Sequence, residues 1–140
     1  MGRAPVRHLV LDNQAAQALL SARARDRRRA VVVEAVAAAN GRRIVPTAVR
    51  SEAGWRRGDP AAANANRLVA EDDQLDRAGA DRTVQLRSAV PRASVVDATV
   101  ALAAERVGRT DEVVEMLTSD TRDMHALAEH IHVPADVIHL

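Results

Sequence analysis

The sequence predicts an α/β fold built on a central parallel sheet, and three observations carry that prediction. Short runs of consecutive apolar residues, such as Leu9-Val10-Leu11 and Val113-Val114 with Met116-Leu117, suit strands covered on both faces. These runs alternate with longer stretches whose apolar residues recur at helical spacing, the order that produces parallel strands joined by crossover helices. The length of 140 residues, with no repeat, low-complexity tract or long linker, fits one compact domain spanning 1–140.

Taken in order, Arg7 to Asp12 reads as a buried strand that ends in a carboxylate. Ala15, Ala18, Leu19 and Ala22 mark the apolar face of a first helix, and Arg25 to Arg29 breaks it. Ala30 to Asn40 is a second helix, with Asn40-Gly41 expected to supply the left-handed residues that end helices. Arg43-Ile44-Val45 is the second strand. Pro46 suits the first turn of a helix, because its missing N–H would have no partner there; that helix is expected to reach Arg57 and stop at Gly58. Pro60 to Glu71 and Gly79 to Ala89 read as further helices, with a weak strand at Gln74 to Asp76 between them. Ser94-Val95-Val96-Asp97 opens a helix whose Val96, Val100, Ala103 and Val107 share one face and which Gly108 closes. Val113 to Thr118 is a strand, Asp123 to His130 a helix, and Val133 to Ile138 the last strand. The sheet therefore holds four to five short strands.

Composition excludes several chemistries. Apolar residues make up 47% and charged ones 28%, enough for a core and a wet surface, while the only aromatic residue is Trp55. The core must be Val, Leu, Ile and Ala, and stacking of nucleobases on aromatic rings is nearly excluded. The absence of cysteine removes disulfides, thiolate zinc sites and cysteine nucleophiles. All 20 basic residues are arginine, so mechanisms that need a Schiff-base, P-loop or receiver-domain lysine fail. Neither a membrane span nor a signal core is visible, which places the expected location in the cytoplasm with no membrane partner. The net charge of +1 conceals an asymmetry: residues 1–57 carry 12 Arg against 4 acids, and residues 58–140 carry 8 against 15. Either the first part attracts phosphates or folding intermixes the two and cancels the field.

In an open parallel sheet, ligands collect beyond the carboxyl ends of the strands. Asp12 and Asp120 close strands there, Asp97 lies in the first turn of its helix, and Glu52 joins them if the helix after Pro46 starts at the same edge. Carboxylates that converge raise one another's pKa unless a cation lies between them. Oxygen-only ligation suits Mg²⁺ or Mn²⁺, which activate water and neutralise a phosphoryl group. Each acid also has a structural explanation: Ser94 with Asp97 matches a capping box, and Asp120 with Asp123 can cap the next helix.

The same residues resemble the PIN-domain ribonucleases, in particular the VapC-like toxins of VapBC-type (type II) toxin-antitoxin pairs. Leu9-Val10-Leu11-Asp12 looks like that family's opening strand and first acid, and Val45 to Glu52 is similar to its P-x-x-x-x-E helix. Ser94 to Ala103 looks like the helix of the third acid, and Leu117 to Asp123 like the T-x-D-x-x-D strand end. Where the family often has Ser, Thr or Asn two positions after the first acid, this chain has Gln14. The resemblance implies a PIN-like three-layer sandwich, Mg²⁺- or Mn²⁺-dependent cleavage of an RNA substrate, homodimers, and an antitoxin partner that blocks the site. Under it, Asp12, Asp97 and Asp120 hold the ion directly, Glu52 binds through water or a second ion, and Asp123 supports the shell.

Other features are weaker. Arg56 and Arg57, one turn past Glu52, are expected to meet phosphate or an antitoxin carboxylate. Arg25, Arg27, Arg28 and Arg29 read as a solvated face rather than a site, and His125, His130 and His132 as ordinary histidines. Two competing readings remain: a non-catalytic PIN-like protein or RNA interaction module whose acids are helix caps, and a phosphatase- or receiver-type phosphotransferase, which the missing lysine and the Asn13-Gln14 pair argue against.

Overall fold

The computed structural model of the chain describes residues 5–23, 25–109 and 111–140. Five strands form one sheet in the order β3-β2-β1-β4-β5, every neighbouring pair parallel. The strands are β1 (Arg7–Leu11), β2 (Arg43–Pro46), β3 (Glu71–Asp73), β4 (Val113–Thr118) and β5 (Ala135–His139). The helices are α1 (Asn13–Leu20), α2 (Arg27–Ala38), α3 (Thr47–Ala53), α4 (Ala63–Leu68, entered through a 3₁₀ turn at Pro60–Ala62), α5 (Arg77–Ala89), α6 (Val95–Val107) and α7 (Thr121–Ala128). With right-handed crossovers, this strand order puts α1 to α4 on one face and α5 to α7 on the other. The packing agrees, since α1 touches α2, α3 and α4 while α6 touches α5 and α7. The expected three-layer α/β class with a central parallel sheet is the class observed. No helix among the described residues is long and apolar enough to cross a membrane.

Covered faces explain the apolar strands. Val10, Leu11, Val114, Met116 and Leu117 are fully buried, and each such side chain contributes about 1.5–3 kcal/mol by leaving water. The central pairing is the most extensive: β1 runs beside β4 from Arg7↔Val113 to Leu11↔Leu117, and the Asp12 N–H continues it by donating to the Leu117 carbonyl at 3.1 Å.

Several boundaries differ from the sequence reading. The third strand is Glu71–Asp73, not 74–76, and the helix expected to reach Glu71 ends at Leu68. Nothing apolar marks this strand. Ion pairs fix it instead: Arg42 holds Glu71, Arg50 and Arg57 hold Asp72, and Arg106 holds Asp73. The helix α3 stops at Ala53, short of Arg57, because Gly54 takes a left-handed conformation (φ 73°) and turns the chain so that Trp55 is buried. In the arginine run, α2 starts earlier than expected, at Arg27, because the Asp26 carboxylate accepts the Arg28 N–H at 3.0 Å. The last helix spans Thr121–Ala128 rather than 123–130, and the last strand Ala135–His139 rather than 133–138.

Asn40-Gly41 does not form the expected left-handed cap, since Gly54 is the one residue with positive φ among those described. Gly41 is needed for space: its N–H donates to the Arg7 carbonyl at 2.8 Å, and a Cβ there would lie 2.8 Å from that same oxygen and 2.7 Å from His8 Nδ1. Neither neighbour is free to retreat, because His8 is buried and its ring bridges the Arg42 N–H and Glu112. Gly41→Ala is therefore expected to cost about 1–3 kcal/mol, read as a lower thermal midpoint with the helical circular dichroism unchanged.

Candidate metal centre

Neighbouring strands and the helices that follow them bring the acids to one edge of the sheet. Asp12 leaves β1 and becomes the N-cap of α1, its carboxylate accepting the Ala15 N–H at 2.8 Å. Asp120 leaves β4 two residues after Thr118 and caps α7, accepting the Asp123 N–H at 3.3 Å, while its own N–H donates to Thr118 Oγ1 at 2.9 Å. Asp97 sits in the first turn of α6, where Ser94 Oγ accepts its N–H at 3.0 Å. The caps foreseen as structural explanations do form. They occupy backbone donors at three helix starts and leave carboxylate oxygens over to face the cleft.

That cleft, of about 190 Å³, is lined by Asp12, Glu52, Asp97 and Asp120, with Gln14 and Ser94 beside them. Carboxylate oxygens of Asp97, Asp120 and Asp123 lie within 4.8 Å of one another. The tightest group thus includes Asp123, read from the sequence as a supporting acid, and leaves out Asp12. Asp12 is 3% exposed and accepts several hydrogen bonds, and its charge is the strongest of the neighbouring carboxylates acting on Asp97. Glu52, exposed near the end of α3, reaches the same cleft from the far side.

Electrostatically the cleft is strained. Burial first, then the charges of Asp12 and Asp120, push the Asp97 carboxyl up to about 6, against the Ser94 hydrogen bond and with a further contribution from Asp123. Burial also raises Asp12, opposed by hydrogen bonds from Thr118 and from the backbone of Ala15, Ser119 and Gln14. A divalent cation relieves both effects by neutralising the ionised forms. The donors are oxygens only, with no thiolate and none of the chain's histidines in the group, which fits a hard ion that keeps part of its water shell.

One neighbour carries no sequence signal. Arg92, in the loop between α5 and α6, holds Asp123 through Nε at 2.5 Å. The pair is 31 residues apart in sequence, and only the fold brings it together.

The two arginines singled out beside Glu52 take other places. Arg57 donates to Asp72 at 2.8 Å, to the Val69 carbonyl at 2.7 Å and to Asn66 at 3.2 Å, and its guanidinium stacks 4.7 Å above the Trp55 ring. It ties α4 to β3. Arg56 is exposed, and neither residue lines the acidic cleft. His132 lies 3.6 Å from Glu105, away from the acids.

No protein-family model matches the chain, and no curated protein matches it either.

Two outcomes follow from this geometry. Arg57→Ala is expected to destabilise the fold by about 1–3 kcal/mol, because it leaves charged and carbonyl partners unpaired, whereas Arg56→Ala leaves the denaturation midpoint unchanged. The second concerns pH. Asp97 titrates near 6 when folded and at 3.8 when unfolded, so between those values the folded state binds the extra proton and is favoured. Metal-free protein should therefore lose stability as pH rises from about 4 through about 6. Asp97→Asn is expected to remove that component, so that the midpoint difference between variant and wild type grows from about pH 5 to about pH 7 in chelating buffer and shrinks when Mg²⁺ is added.

Proposed function

We propose that this chain is a PIN-type endoribonuclease that hydrolyses RNA phosphodiester bonds with Mg²⁺ or Mn²⁺, acting in the cytoplasm as the VapC-like toxin of a toxin-antitoxin pair. The observation that carries the reading is the convergence of Asp97, Asp120 and Asp123, from two separate helices, beside a cleft that Asp97 and Asp120 line together with Asp12 and Glu52. Asp97, Asp120 and Asp123 are the residues placed to bind the ion, Asp12 supplies buried negative charge behind them, and Glu52 acts through water. When bound, the ion lowers the pKa of a water and neutralises charge on the phosphoryl group. The chain's own part is to hold the carboxylates in place: helix N-termini and Ser94 fix Asp12, Asp97 and Asp120, and Arg92 fixes Asp123. The order and spacing of the four acid-bearing motifs support the family reading, and with it a homodimer and an antitoxin whose C-terminal segment covers the cleft.

A second reading has a specific observation in its favour. Asp12, Asp120 and the Ser94–Asp97 pair all complete helix caps, which is what an interaction module without catalysis would retain. Calorimetry with Mn²⁺ and cleavage of labelled RNA separate the two. The nuclease reading expects saturable ion binding and metal-dependent cleavage, both abolished by Asp97→Asn with the fold intact, and metal affinity reduced about 10–100-fold by Arg92→Ala. Wild-type protein that binds no ion and leaves RNA uncut would sink it.

A further inference from the structure

Arg25, Arg27, Arg28 and Arg29 read from the sequence as a solvated face, yet the structure sets Arg25, Arg27 and Arg28, with Arg23, along a groove. A groove of about 210 Å³ runs along α1 and is lined by Gln14, Gln17, Ser21, Arg23, Asp26 and Arg28. A second hollow, of about 520 Å³, continues from it between Arg23, Arg25, Arg27 and Arg28. Gln14 lines both the first groove and the acidic cleft, so the depressions lie next to one another along α1. In the groove Gln14, Gln17, Ala18 and Ser21 follow the i, i+3, i+4, i+7 spacing of a single helix face.

Charge supports a ligand here. The basic excess of residues 1–57 is partly cancelled elsewhere: Arg7, Arg42, Arg50 and Arg57 pair with Glu115, Glu71 and Asp72 from the acidic part of the chain. Among the described residues, Arg23, Arg25, Arg27 and Arg28 form no ion pair. Asp26 is the one acid lining the groove, and its carboxylate already accepts the Arg28 N–H. Four guanidinium groups against one carboxylate leave this end of α1 cationic, opposite an anionic end at the acids.

We infer that the α1 groove and its arginines are the track that binds the phosphates of single-stranded RNA flanking the cleaved bond. This rests on the nuclease reading for its direction, toward the acids, but not for its existence. The eight residues of α1 span about 12 Å, which puts the arginines beyond the scissile phosphate and onto its neighbours. Trp55 is 2% exposed, so bases find no aromatic platform; the track reads backbone charge, and binding is indifferent to sequence.

The test is fluorescence anisotropy of a labelled single-stranded RNA with the full chain in chelating buffer, from about 50 mM to about 200 mM salt. Arg23→Ala/Arg28→Ala should raise Kd about 10-fold and lower the slope of log K against log salt by about 1.4, roughly 0.7 for each phosphate that is no longer neutralised. Arg77→Ala/Arg109→Ala, which removes the same charge from exposed positions elsewhere, should change neither by as much. Equal effects of the two double variants would overturn the track, and so would polyglutamate binding as tightly as RNA with the same dependence on Arg23 and Arg28, which would mark an acidic protein segment as the occupant. Cleavage by the same proteins in Mg²⁺ is scored separately. Arginine-dependent binding without cleavage by the wild type keeps the track and removes the nuclease, whereas cleavage with binding unaffected by the variants does the reverse.

Discussion

The parallel pairing of β1 with β4 is the constraint on which the site depends. It aligns Leu11 with Leu117, so that Asp12 and Asp120, more than a hundred residues apart, leave the sheet at the same edge. Each then starts a helix, and helix starts offer unsatisfied N–H groups that hold a carboxylate in a fixed orientation. Any slip in that register would change which side chains are buried and separate the acids together.

Around this pairing the chain keeps like charges close in a partly buried cleft, which is unfavourable without a cation. The raised Asp97 carboxyl records that cost, and the Ser94 hydrogen bond limits it, while Arg92 pairs with Asp123. Burial alone would favour protonated acids; the surrounding donors favour ionised ones. The balance leaves Asp97 and Asp12 raised above the ordinary carboxylate range, with the hydrogen bonds opposing the rise.

Arginine does two kinds of work in a protein without lysine. At the sheet edge, Arg42, Arg50, Arg57 and Arg106 replace the apolar packing that β3 lacks; Arg42 grips Glu71 alone, while Arg50, Arg57 and Arg106 use the planar fork of the guanidinium to hold more than one partner. Among the described residues, Arg23, Arg25, Arg27 and Arg28 have no acid paired with them, and the surface there is cationic. The position of the acidic partners distinguishes a structural arginine from an available one.

What the sequence determined by itself was the layered α/β class and the acids worth inspecting, because consecutive apolar runs, helical spacing and strand-end carboxylates are local patterns. The strand at Glu71–Asp73 was illegible, since charge pairing with distant arginines rather than propensity holds it. So was the role of Arg57, which depends on where Asp72 and Val69 fall. Tertiary structure alone decided that Asp123 joins Asp97 and Asp120 in one group of carboxylate oxygens, and that Arg92 meets Asp123. Those are contacts between side chains of different elements, set by the angle at which helices pack on the sheet, and no pattern along the chain encodes that angle.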